Sequence, residues 1–79
     1  RYERAAQLYR DIIAKFAFHV VAWYCLWKCE VGLGRTGEAA EARRHIADLV
    51  ETNPLSREMF LKYRDLMPDL DLASSLVEA

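Results

Sequence analysis

The segment Arg1-Tyr2-Glu3-Arg4-Ala5-Ala6 returns in altered form as Arg35-Thr36-Gly37-Glu38-Ala39-Ala40. The displacement that carries Ala5 onto Ala39 also carries Leu8 onto Ala42, Ile12 onto Ile46, Ile13 onto Ala47 and Phe16 onto Val50, so apolar positions fall on apolar positions. A period of this length fits one helix–turn–helix unit, which covers its apolar face only by stacking on neighbours. That points to an all-α chain of paired antiparallel helices.

From Tyr2 to Phe16 the apolar residues Ala5, Leu8, Tyr9, Ile12, Ile13 and Phe16 trace one face of a helix, with Glu3, Gln7, Arg10 and Asp11 opposite. Phe16 to Trp27 is almost wholly apolar, and its aromatic and β-branched residues would also suit a buried strand. Helical spacing of Ala22, Cys25, Leu26, Cys29 and Leu33, and the lack of a second strand-like segment, favour a helix over 20–33 after a bend at 17–19. Gly32-Leu33-Gly34-Arg35-Thr36-Gly37 then breaks the chain. Gly34 is the expected left-handed terminator and Thr36 the expected N-cap of a helix reaching about Thr52. Ala39, Ala42, Arg43, Ile46, Leu49 and Val50 form the inner side of that helix.

Asn53-Pro54 reads as a cap followed by a proline at the first helical position. Met59, Phe60, Tyr63, Leu66 and Met67 give the next helix its stripe, and Pro68 stops it. Asp69 or Asp71 is expected to cap a last short helix carrying Leu72, Leu76 and Val77, for about five helices in all. The units are then 1–19, the second helix of one repeat; 20–53, a complete repeat; and 54–79, a partial repeat with a short C-terminal helix.

This pattern resembles the tetratricopeptide repeat (TPR) family, an α-solenoid of helix pairs that recur every ~34 residues. Trp23-x-x-Leu26 is similar to the opening of that repeat's first helix, and Leu33-Gly34-Arg35 to its turn. Ala5 and Ala39 match the small residue where the helices touch, and Tyr9 its aromatic partner. Trp27, Glu30 and Arg43 depart from the pattern, standing where the family has a small residue, a tyrosine and a large aromatic. The tail from Asn53 to Ala79 is loosely similar to the ends of TPR regions in bacterial cyclase-like and regulatory proteins, without any cyclase chemistry.

The resemblance implies a protein-binding module whose first helices line a concave groove for a peptide or partner helix. Val21, Tyr24, Lys28 and Val31 would face that groove, joined by Glu58, Lys62 and Asp65 from the next first helix. The alternative is a self-association segment forming a homodimer within a larger regulatory protein. An unpartnered first helix, with Tyr2, Ala6 and Tyr9 uncovered, predicts either dimerisation through an exposed terminal face or neighbouring helices in a parent protein.

Other classes of function find little support. Eleven basic and twelve acidic residues are interspersed, with a net charge of −1, which gives no electrostatic case for nucleic acid or an anionic membrane. The apolar run is too short to span a bilayer. Cys25 and Cys29, four apart, suit reduced thiols better than a disulfide, and zinc would need two further ligands. Gly32, Gly34 and Gly37 spell a dinucleotide fingerprint, but a helix precedes them where that motif needs a strand. His19 and His45 have no nucleophile nearby, so no catalytic residue, cofactor, metal or small-molecule substrate is expected. Arg35, Arg43, Arg44 and His45 read as a solvated face with Glu38 and Glu41 beside them. The chain is expected to be part of a longer cytoplasmic protein.

Overall fold

Four α-helices succeed one another in residues 1–72, the part that the computed structural model describes: α1 (Tyr2–Lys15), α2 (Val20–Gly32), α3 (Thr36–Thr52) and α4 (Pro54–Tyr63). A 3-10 turn, Arg64–Leu66, follows α4. No strand occurs among the described residues. The step from the start of α1 at Tyr2 to the start of α3 at Thr36 equals the step from α2 at Val20 to α4 at Pro54. It is also the step from Ala5 to Ala39 in the sequence repeat. The expected fifth helix falls mainly on residues 73–79, outside the described residues, which hold four α-helices. Neither expected cap leads into a helix within them, and Asp69 is engaged by α2 instead.

Short connections fold each helix back along its predecessor. α2 is the central element because it is apolar nearly all round. It packs on α1 and α3, while α4 packs on α3 and more lightly on α2. One core cluster gathers Val20, Ile46, Val50, Phe60, Met67, Leu70 and Leu72. A smaller one joins Ala6 of α1 to Leu26 and Cys29 of α2.

Local chemistry sets the helix ends. His19 Nδ1 accepts a hydrogen bond from the Ala22 amide (3.0 Å) and caps α2, a role that nothing in the sequence pattern announced. Gly34 takes the left-handed conformation, φ 74°, just beyond the end of α2. Asn53 Oδ1 accepts from the amides of Leu55 (3.0 Å) and Ser56 (3.1 Å), with Pro54 opening α4 as expected. The buried Ser56 hydroxyl donates to the Phe18 carbonyl (2.7 Å), pinning α4 to the bend between α1 and α2.

Three expectations need correction. Thr36 is the first residue of α3 and not its cap; Arg35 holds the cap position and makes no side-chain cap bond. Tyr63 and Leu66 are exposed, because the chain tightens into a 3-10 turn at Arg64 and the α-helical stripe loses its register. On α1, Ala6 is fully buried and Tyr9 half-buried, whereas Leu8 (59% exposed), Ile12 (37%) and Phe16 (49%) form the uncovered side. The apolar stripe is wide enough that α2 takes one edge, through Ala5, Ala6, Tyr9 and Ile13, and leaves the other open.

Gly34→Val should cost about 1–2 kcal/mol, read as a fall in urea midpoint. A side chain there would meet open space, so the whole effect comes from positive φ. Gly34→Asn should recover most of the loss, since asparagine tolerates that conformation.

Candidate functional site

Tyr24 and Lys28 lie one turn apart on α2 and therefore project from the same side of the helix. Both reach Asp69, which follows the 3-10 turn and Pro68. The Tyr24 hydroxyl donates to Asp69 Oδ1 at 2.7 Å, and the Lys28 ammonium pairs with Oδ2. Trp27 completes the patch: its ring meets Tyr24 edge-on at 5.8 Å, and Lys28 Nζ stands 5.7 Å from its centroid. Trp27 is half-buried against the main cluster and supplies an aromatic wall beside Tyr24 and Lys28.

Of the other residues expected in a groove, Val21 is half-buried against the core beside Tyr24, and Val31 is exposed at the far end of α2. Glu58 and Lys62 are exposed on α4, where Lys62 stands over the ring of its neighbour Tyr63 at 5.4 Å; Asp65 is exposed in the 3-10 turn. No hydrogen bond or ion pair among the described residues ties Glu58 or Lys62 to the α2 set. Tyr24 and Lys28 thus converge on a common partner, while Glu58 and Lys62 stand apart.

The electrostatics follow from the contacts. The Lys28 ammonium, and then the Tyr24 hydroxyl, hold the Asp69 carboxyl below its ordinary 3.8. Donation to that carboxylate pushes Tyr24 up to about 12. Lys28 and Asp69 remain 48% and 41% exposed, so the pair fixes geometry more than it stabilises the fold. The Asp69 contribution is present above the ordinary carboxylate range and lost as pH falls through the lowered folded value. The Tyr24 contribution is full below its ordinary 10 and lost as pH rises through about 12. In a carboxyl NMR titration, Asp69 is expected to titrate below 3.8 and the side-chain resonances of Tyr24 and Lys28 to move with it. Titration of Asp69 at the ordinary value would show that the contact does not form in solution.

The basic stretch that read as one solvated face is divided among several roles. Arg35 Nη1 donates to the buried Glu30 carboxylate at 3.4 Å, and the Arg35 guanidinium also pairs with Glu3, which Arg10 meets at 3.3 Å. The Arg35 guanidinium, and then that of Arg10, hold the Glu3 carboxyl below its ordinary range. This network ties α1, the end of α2 and the following turn together, and explains how the Glu30 carboxylate is tolerated at a buried position. His45 stacks on Trp23 at 4.5 Å, while the Trp23 indole donates to the Ala17 carbonyl at 2.9 Å. Arg43 Nη2 donates to the Asp71 carbonyl at 2.9 Å. Arg44, loosely paired with Glu41 at 3.8 Å, fits the solvated face, and His45 is exposed beside it.

Both cysteines are free thiols, and burial pushes Cys29 up, which keeps it protonated at neutral pH. No group of three or more candidate metal ligands occurs among the described residues, and no helix there is long and apolar enough to cross a membrane. The arrangement sets a cation and a phenol on one carboxylate, beside a half-buried indole. The sequence marked Tyr24 and Lys28 but presented Asp69 only as a possible helix cap. Comparison with family models, curated proteins and solved structures returns no match.

Proposed function

We propose that this chain is a TPR-type helical interaction module, part of a larger protein, that binds an acidic peptide or partner helix on the α2 face around Val21, Tyr24, Lys28 and Val31. The observation that carries the reading is the convergence of Tyr24 and Lys28 on the Asp69 carboxylate, 45 and 41 residues along the chain. Those two side chains have the spacing and chemistry to hold an acid. The equal steps from α1 to α3 and from α2 to α4 support the repeat reading. Glu58 and Lys62 on α4 would extend the surface toward the second half of a ligand.

The test is the double change Lys28→Glu with Lys62→Glu, read as binding to a panel of fluorescent acidic peptides and as helical content. Weaker binding at unchanged helicity, with less sensitivity to salt, is expected. Arg44→Glu is the outer-face control. Arg43 is unsuitable for that purpose because it already holds the Asp71 carbonyl. Binding that survives the double change and fails with Arg44→Glu would move the partner to the outer face.

One observation favours the alternative of self-association. Leu8, Ile12 and Phe16 border an apolar depression of ≈ 440 Å³ on the uncovered side of α1. A concentration-dependent dimer by light scattering, abolished by Ile12→Asp, would establish that role in place of the first.

A further inference from the structure

Residues 67–72, Met-Pro-Asp-Leu-Asp-Leu, follow the 3-10 turn without belonging to any helix. Their side chains alternate between two environments. Met67, Leu70 and Leu72 are 1%, 4% and 6% exposed and belong to the main core cluster with Val20, Ile46, Val50 and Phe60. Asp69 and Asp71 face outward. Helices α2 and α3 grip the segment from outside it: Tyr24 and Lys28 hold the Asp69 carboxylate, and Arg43 holds the Asp71 carbonyl. The backbone adds short-range bonds of its own, Met67 N–H to Arg64 O (3.0 Å) and Leu70 N–H to Met67 O (3.1 Å), the second closing a turn. Side chains of α2 and α3 supply the polar contacts described between this turn segment and the helices.

From this seating we infer that the surface formed by α2 and α3 recognises a short non-helical peptide in which acidic residues alternate with leucines, and that residues 67–72 are its built-in competitor. The inference rests on the α2 face being the binding surface, and adds the ligand's chemistry and its regulation. Both halves of the ligand's chemistry are required. An acid without the leucines would leave the apolar seat open to water, and leucines without the acid would leave Lys28 and Tyr24 without their partner. An incoming peptide must also displace the internal one, so its apparent affinity is lowered by the fraction of molecules in which the seat is vacant.

The experiment uses the 79-residue chain and a fluorescein-labelled, C-amidated peptide with the sequence of residues 66–72, Leu-Met-Pro-Asp-Leu-Asp-Leu, followed by anisotropy. Asp69→Ala in the protein should tighten binding by roughly tenfold, because it loosens the competitor and leaves the seat intact. Replacing the first aspartate of the peptide with lysine should remove that gain. Lys28→Glu should weaken binding in the Asp69→Ala background; in the wild type the competitor loses the same contact as the peptide, and the two losses largely cancel. Equal affinity for wild type and Asp69→Ala would overturn the competitor while leaving the α2 surface standing. Binding to the Asp69→Ala chain that is indifferent to Lys28→Glu would instead overturn the surface itself, and with it the reading above. No binding of this peptide, while other acidic peptides bind in a Lys28-dependent way, would overturn the leucine requirement. Should Asp69→Ala fail to fold, amide exchange of the wild type with and without saturating peptide decides. Faster exchange at Leu70 and Leu72 with unchanged helices is expected, and unchanged exchange at those residues contradicts displacement.

Discussion

Phe60→Ala is expected to lower stability by about 3–5 kcal/mol and to release α4 and the segment beyond it. Phe60 is 3% exposed, and within α4 it shares full burial only with the small Ser56. The helix rests on α3 and, more lightly, on α2, so this ring is its main anchor. A chain of this size has little stability to spare, and a loss of that order leaves a large part of the population unfolded at room temperature. Urea denaturation followed by circular dichroism measures the effect. A loss below about 1 kcal/mol would mean that α4 is held by something other than its aromatic residue.

The second large effect comes with an internal control. Ile46→Ala should cost about 2–5 kcal/mol, since Ile46 is completely buried at the centre of the main cluster. Ile12 occupies the same position in α1 that Ile46 occupies in α3, yet it is 37% exposed. Ile12→Ala should therefore cost well under half as much. The contrast isolates burial, because residue type, helix position and substitution are the same. Equal losses at the two sites would indicate that the outer side of α1 is covered in solution, which is the signature of self-association.

Features written in local chemistry were legible without coordinates. Asn53-Pro54 announces a helix start because a side-chain acceptor precedes a residue with no amide to satisfy. Gly34 announces a helix end because it adopts positive φ without strain. The all-helical character and the regular spacing of helix starts follow from periodicity alone. Burial was harder to read. The α1 stripe is apolar on both edges, and which edge α2 packs against decides that Ala6 is buried and Leu8 is not. Thr36 has the chemistry of a cap, but the preceding turn places α3 one residue earlier. Asp69 lies 41 residues beyond Lys28, and no local rule links positions so far apart. Glu30 read as a departure from the family pattern. Its meaning emerges only with Arg35 folded back against it across the turn.

The central claim is that the Tyr24–Lys28 face of α2 is where an acidic partner binds. The most direct measurement is a titration of the 15N-labelled chain with the residue 66–72 peptide, followed by amide chemical shifts. The claim predicts perturbations concentrated at Val21, Tyr24, Lys28 and Val31, extending to Arg43 and residues 69–72, with Arg44 and the outer side of α1 unmoved. Perturbations centred on Leu8, Ile12 and Phe16, with Tyr24 and Lys28 unmoved, would contradict it and place the interaction on α1.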